Sequence, residues 1–203
     1  ICDADARAAG VGNAHFFVGD AQWDDLHGPY DQAFARFGTM FFEAPGAAMG
    51  NVRRALKPGG TFTQIVWRKR EDNPWLHEAE RRVKAIVPVV DPETSNQVHC
   101  GPGPFSMAGP DMVSTMLRSV GFDRITFERH DCDICIGRSL AESIEFAMAL
   151  GPAGEVMRLA GAEAERLRPQ VTAALTEALA PFVRPDGVFA PSSTWFITAT
   201  NPG

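Results

Sequence analysis

Three short segments decide the fold of this chain: VGDAQ at residues 18–22, ARFGTMFF at residues 35–42 and RRALKPGGTFTQIVW at residues 53–67. An apolar run of strand length ends within each of the first two segments. A further run, TFTQIVW at residues 61–67, lies at the end of the third segment. A stretch with helical spacing separates the second segment from the last strand. Such alternation is typical of a parallel sheet with crossover helices. We therefore predict an α/β fold with a doubly wound, mostly parallel sheet whose carboxyl edge binds the ligand.

The rest of the chain continues the alternation. Further strands are predicted at residues 14–20, 124–130 and 194–200, and helices after Pro45 and Pro74, at 111–120, from Ser139 and at 160–182 with a break at Pro169. A long loop rich in proline and glycine is expected between residues 87 and 110, and loops of that length are usually functional. Residues 1–130 and 190–203 are predicted to form the sheet domain, with residues 131–189 as a helical insertion or lid within it.

Composition narrows the classes of function. The 203 residues are 45% hydrophobic and 22% charged, which suits one globular domain. The net charge of -6 argues against a nucleic-acid partner, because phosphate binding needs clustered cations. No apolar run approaches the roughly 20 residues that span a bilayer. Four cysteines and no signal-like start favour a reducing, cytoplasmic compartment.

A metal site is not expected. Cys132 and Cys135 form a CxxC motif, which can bind metal or cycle as a redox pair. Neither Cys2 nor Cys100 supplies a second pair at the spacing of a zinc site. Core or surface thiols are therefore the preferred interpretation of both motif cysteines.

In their order and spacing the three segments resemble class I S-adenosylmethionine-dependent methyltransferases, in particular the group similar to the C-methyltransferases of ubiquinone and menaquinone biosynthesis. The resemblance runs from about residue 6 to residue 123 and includes the final strand. It implies a Rossmann-like sheet, S-adenosylmethionine as cofactor and a small-molecule acceptor; a homodimer is possible. The family's glycine-rich loop and ribose-binding acid do not occur, so we expect them in a segment upstream of Ile1.

The resemblance assigns five residues to the cofactor. Asp20 would accept the adenine amino hydrogen bond, the Ala21 amide would donate to a ring nitrogen, and Gln22 would flank the base. Arg36 and Phe37 would lie beside the methionine part. Each residue also has a purely structural interpretation: a turn or helix cap for Asp20, a solvated loop side chain for Gln22, an ion pair for Arg36 and core packing for Phe37.

Apolar and aromatic residues beyond the strand ends are candidates for the acceptor pocket. These are Met40, Phe41, Trp67, Asn73, Trp75 and Phe105. Core packing is the competing interpretation for the apolar members of this set. His77 and His99 are the candidate general bases, although a lone histidine is more often a surface or capping residue. Methyl transfer also proceeds without a base where alignment suffices.

Two other classes of function compete with methyl transfer. A nicotinamide-dependent oxidoreductase shares the doubly wound sheet, but the characteristic catalytic tyrosine is hard to place because Tyr30 is the only tyrosine and lies in a predicted loop. A non-catalytic relative would use the same fold for binding or assembly. The complete sequence and a cofactor-binding assay discriminate among the three.

Overall fold

A computed structural model describes residue 9 and residues 13–87, 102–149 and 151–203. The described residues form an α/β fold. Its strands are β1 (Tyr30–Arg36), β2 (Leu56–Trp67), β3 (Asp123–Gly137), β4 (Val183–Arg184) and β5 (Gly187–Thr200). Its α-helices are α1 (Pro45–Arg54), α2 (Pro74–Ile86), α3 (Pro110–Ser119), α4 (Leu140–Ala149), α5 (Gly151–Ala160) and α6 (Ala162–Leu179). Short 3-10 turns occupy Thr39–Phe41, Arg70–Asp72 and Ala180–Phe182.

The sheet is mixed, which corrects the prediction of a mostly parallel sheet. Its order is β1-β2-β5-β3, with β4 paired to β5. In the described part of the chain β1 and β2 are parallel, and β5 is antiparallel to β2, β3 and β4. The reason lies in the connection between β3 and β5. Helices α4 to α6 leave and rejoin the sheet at the same end, so β5 must run back along β3.

The segment at residues 14–20 has no regular secondary structure, contrary to the sequence prediction of a strand. Phe16 and Phe17 are each 47% exposed, and Val18 is 81% exposed. Apolar and aromatic residues favour strands, but a strand also needs a neighbour to pair its backbone N–H and C=O groups. Within the described residues β1 pairs only with β2, and no strand lies beside residues 14–20.

Proline and glycine set the helix boundaries largely as the sequence predicts. Pro45, Pro74 and Pro110 occupy the first turns of α1, α2 and α3, where the missing N–H costs nothing. Gly121 follows α3 with a φ of +92°. The break predicted at Pro169 is absent, because α6 is continuous from Ala162 to Leu179. Buried residues on both sides of the proline, among them Leu167 and Val171, keep this helix packed.

Two apolar clusters hold the layers together. In the first cluster α1 and α3 cover the sheet, with Met49, Phe62 and Leu117 nearly inaccessible to solvent. The second cluster joins α2 to α4, α5 and α6 and to the start of β5. Trp67, the last residue of β2, packs against both clusters. The helical segment is therefore connected to the sheet through one continuous apolar interior.

A tight turn at Gly59 and Gly60 brings the start of β2 against β1. Gly59 has a φ of +81°, which a residue with a side chain adopts only with strain. Gly60 is needed for space, because a Cβ atom there would lie 2.9 Å from the Lys57 carbonyl oxygen and 3.1 Å from that of Asp31. The predicted glycine turn is confirmed at Gly59, and close packing explains Gly60.

We expect Gly60→Ala to lower the free energy of unfolding by about 1 to 3 kcal/mol, since backbone atoms must shift to admit the methyl group. Gly38→Ala is the matched control, because an added Cβ there meets nothing within 4 Å. Urea unfolding of both variants provides the measurement. Equal stability of the two would contradict the crowding at Gly60.

Candidate functional site

The carboxyl end of β1 carries a strained residue at the predicted cofactor edge. Phe37 has a φ of +56°, which is uncommon for a residue with a side chain. Its N–H donates to the Ile65 carbonyl oxygen at 3.0 Å, and its ring stacks on Trp67 with centroids 4.4 Å apart. The neighbouring Arg36 is exposed. The backbone at this strand end is therefore held in an unusual conformation next to an exposed cation.

A row of four aromatic rings runs from this strand end to the helical segment. After Phe37 and Trp67 it continues through Trp75, whose ring meets Trp67 edge-on at 6.4 Å, and reaches Phe146 of α4 at 5.9 Å. Trp67 is partly buried, whereas Trp75 is only 4% exposed. Trp75 is thus a core residue that supports the row, which corrects its predicted place in the pocket wall.

The turn predicted to contact adenine is fastened to α1. The Asp20 carboxylate accepts the Gln22 N–H at 2.8 Å, and the Gln22 side-chain oxygen accepts the Ala44 N–H at 2.6 Å, just before α1. The Ala21 carbonyl accepts a hydrogen bond from the Asn51 side chain at 3.1 Å. These bonds fix the turn without burying the carboxylate, because Asp20 remains exposed.

A cleft of about 910 Å³ separates the sheet edge from the helical segment. On the sheet side it is lined by Phe41, in the 3-10 turn that follows β1, and by the loop at residues 102–104. This loop is anchored by the Met40 carbonyl oxygen, which accepts the Gly103 N–H at 2.9 Å and the Ser106 hydroxyl at 2.7 Å. The opposite wall comes from α2 and from α4 to α6.

The predicted pocket residues are divided between the cleft and the core. Phe41 is 55% exposed and lines the cleft. Phe105 is not among the lining residues, but its ring lies 5.3 Å from the guanidinium of Arg70, which is one of them. Met40 is 1% exposed, so it belongs to the core and not to the pocket wall. Of these three predicted residues only Phe41 lines the cleft, and Phe105 is connected to it through Arg70, which the sequence did not indicate.

Of the two candidate bases, the structure describes only His77. His77 is partly buried on α2 and is not among the residues that line the cleft. Its backbone N–H bonds to the Asn73 carbonyl oxygen at 3.1 Å, in the first turn of the helix. His99 lies outside the described residues.

Asn73 joins the end of β2 to β5 and does not face the cleft. It is inaccessible to solvent, and its side-chain oxygen accepts the Ser193 N–H at 2.9 Å. Its amide nitrogen donates to the carbonyl oxygens of Ser193 and Lys69 at 3.2 and 3.0 Å. Because all these bonds are made to backbone groups, the structure corrects the predicted role of Asn73 as a pocket residue.

An ion-pair network surrounds this junction. Arg68 donates to the Ser193 hydroxyl at 2.9 Å, and its guanidinium lies 4.6 Å from the centre of the Trp195 ring. Asp131, opposite Ser193 on β3, accepts the Ser193 hydroxyl at 2.5 Å and is bonded by Arg129 at 2.7 Å. The Arg129 hydrogen bond, with that of Ser193, lowers the pKa of Asp131 below its ordinary value.

The CxxC motif has no chelating geometry. Cys132 and Cys135 both lie in β3 as exposed free thiols. Side chains three residues apart on a strand point to opposite faces, so the two sulfurs diverge. Among the described residues, no group of three or more His, Cys, Asp or Glu side chains could hold a metal ion. None of the described helices is long and apolar enough to cross a membrane.

No family model matches the sequence. A candidate methyltransferase from Bacillus halodurans C-125 is similar in structure, with 14% identity, a TM-score of 0.54 and coverage of 98% of this chain and 78% of that one. The YcgJ protein from Bacillus subtilis has 14% identity and a TM-score of 0.56, covering 99% of this chain and 76% of its own. At this identity the similarity establishes the fold alone. The chain therefore has an α/β fold shared with these two proteins.

The lowered pKa of Asp131 predicts a pH-dependent contribution to stability. A carboxyl whose pKa is lower in the folded state stabilises the fold above its unfolded pKa, and the contribution disappears as the pH falls through the folded value. Asp131→Asn should therefore be less stable than the wild type at pH 7, and the difference should narrow below about pH 4. Urea unfolding between pH 3 and 7 measures it.

Glu128→Gln is the control, because Glu128 is exposed on the same strand and forms no ion pair with any described residue. A stability difference for Asp131→Asn that stays constant with pH would rule out the charged form of Asp131 as its source.

Proposed function

We propose that this protein transfers a methyl group from S-adenosylmethionine to a small-molecule acceptor. The observation that carries the proposal is the position of the cleft. It reaches Phe41, which lies in the turn directly after the carboxyl end of β1. Open α/β sheets bind ligands beyond this edge. A cofactor at the strand end and an acceptor in the cleft would therefore be neighbours.

The residues at this edge fit the proposed cofactor. The exposed Asp20 carboxylate can accept the adenine amino hydrogen bond while α1 holds its turn in place. Arg36 is the last residue of β1 and Phe37 follows it, at the strand end where the resemblance would put the methionine part. The fold shared with the Bacillus halodurans candidate methyltransferase supports this assignment. The finer resemblance, to quinone C-methyltransferases, remains part of the proposal.

When bound, S-adenosylmethionine would supply a methyl group on a cationic sulfonium, which leaves as a neutral thioether and needs no acid to assist its departure. The task of the chain is then to align the acceptor and exclude water. The stacked pair of Phe37 and Trp67 gives the strand end a rigid apolar wall. The loop at residues 102–106, fixed to the Met40 carbonyl, closes the cleft beside it. We propose that α4 to α6 form the other wall as a lid.

No free base lines the described part of the cleft. Its carboxylates belong to Glu80, Glu155 and Glu165, and each is within ion-pair distance of an arginine or lysine. The carboxylates are thus already engaged by cations, and no histidine is among the described lining residues. The proposal therefore rests on alignment, and it favours an acceptor that ionises readily over one that needs a strong base.

The position of Tyr30 weakens the oxidoreductase alternative. This residue is at the amino end of β1, and its hydroxyl donates to the Leu26 carbonyl oxygen at 2.8 Å. It is therefore at the end of the sheet opposite the cleft. A non-catalytic binding protein would have the same cleft. A turnover assay therefore distinguishes it from an enzyme.

We expect the full-length protein to bind S-adenosylhomocysteine, and Asp20→Ala to weaken that binding by roughly 1 to 3 kcal/mol, as for a lost hydrogen bond to a polar partner. Isothermal calorimetry measures both affinities. Asp25→Ala is the control, because Asp25 is an exposed carboxylate of the following loop whose only proposed role is to accept the His27 N–H.

Unchanged affinity in Asp20→Ala would remove Asp20 from the cofactor site. Binding of NAD in place of S-adenosylhomocysteine would overturn the proposed function.

A further inference from the structure

The cleft wall on α2 carries a cluster of two cations and one acid. Glu80 is buried, with a side chain only 7% exposed. Both of its oxygens are 2.8 Å from one nitrogen of Arg70, and Lys84 lies 2.8 Å from one of them. The cations are more accessible than the acid, at 40% for Arg70 and 30% for Lys84. All three side chains line the cleft, and the two cations are its more accessible charged groups on this wall.

This cluster has a surplus positive charge. Two cations against one carboxylate leave a net charge of +1. Elsewhere along the described lining each cation has at least one acid: Arg158 is 2.7 Å from Glu155, and Arg168 is 3.2 Å from Glu165 and 3.7 Å from Glu145. A buried carboxylate needs counter-charge, but one arginine bonded to both oxygens already supplies it. The second cation is not required to neutralise Glu80.

Apolar groups adjoin the surplus charge. The Arg70 guanidinium lies over the Phe105 ring, and Phe41, Met148 and Met157 line the same cleft. Stacking on the ring limits the orientations of the guanidinium. Anions are attracted to such a charge more strongly in a cleft than on an open surface, because the walls exclude water and screening ions.

We propose that the methyl acceptor is an apolar molecule with an anionic group, which Arg70 and Lys84 bind at the wall of the cleft. This inference rests on the proposed function and specifies its substrate class. It also accounts for the missing free base, since a positive site favours the ionised form of an acidic acceptor. The carboxylate, phenolate or enolate oxygen or carbon that results is nucleophilic without further deprotonation.

The test uses two probes of the same shape. In the presence of saturating S-adenosylhomocysteine, the full-length protein should bind 2-naphthoate at least about tenfold more tightly than the neutral 2-naphthamide, as expected for a hydrogen bond to a charged group. Lys84→Gln should abolish most of this preference without changing the affinity for the amide. Lys84→Arg, which keeps the charge, should retain it. Calorimetry provides the affinities.

Lys57→Gln is the matched control. Lys57 also pairs with one carboxylate, that of Asp31 at 2.8 Å, but at the amino ends of β1 and β2, away from the cleft. This variant should bind both probes like the wild type. Urea unfolding should show that Lys84→Gln is folded, because Arg70 still neutralises Glu80.

Equal binding of the two probes by the wild type would overturn the inference. Loss of the preference in Lys84→Arg as well as in Lys84→Gln would also overturn it, because charge would then not be the cause. Failure of the proposed function gives a different result: the wild type would not bind S-adenosylhomocysteine, whatever its preference between the probes.

Discussion

The pairing of β5 with both β2 and β3 is the interaction on which the rest of the structure depends. It is the contact that brings the end of the chain into the middle of the sheet. Residues of β5 belong to both apolar clusters, Val188 and Ala190 to one and Ile197 and Ala199 to the other. Without this strand, the parallel pair β1 and β2 and the helical segment would have no common interior. The buried side chain of Asn73 then fixes where β2 turns away from β5.

The same pairing creates the cleft. Because β5 runs antiparallel to β3, the helices between them must sit beyond one end of the sheet, and this is the end at which β1 and β2 finish. Helix α2, which follows β2, supports them through an apolar face that includes Trp75, Leu76 and Val83. The space left between these helices and the first turn after β1 is the cleft. A long helical connection and the cleft therefore have one geometric cause.

Charge and apolar surface are arranged differently on the two sides of this edge. On the side of residues 20–22 and β1 the exposed groups are a carboxylate and a guanidinium, which suit the polar parts of a nucleoside and an amino acid. On the cleft side an aromatic and methionine lining surrounds one surplus positive charge. Such an arrangement orients an amphipathic molecule by its charged end. It also agrees with chemistry that depends on alignment more than on proton transfer.

The sequence by itself determined the α/β class, the parallel pair with its crossover helix, and the helix starts at Pro45, Pro74 and Pro110. These features depend on local periodicity and on the restricted backbone of proline and glycine, which act over a few residues. It also indicated Phe41, which lines the cleft. It did not separate this residue from Met40, Asn73 and Trp75, because burial depends on what packs on top of a residue.

Only the tertiary structure decided, for the residues that it describes, the sheet order, the lack of a strand partner for residues 14–20 and the composition of the cleft. Strand pairing satisfies backbone groups between segments far apart in the chain, so an apolar run such as 14–20 is a strand only where a neighbour exists. The sequence spacing of Glu80 and Lys84 is that of neighbours on one face of a helix. It does not show that Arg70, in the turn before α2, also binds Glu80. Their surplus charge lies in a cleft only because α4 to α6 form the opposite wall. The position of these helices follows from the antiparallel direction of β5.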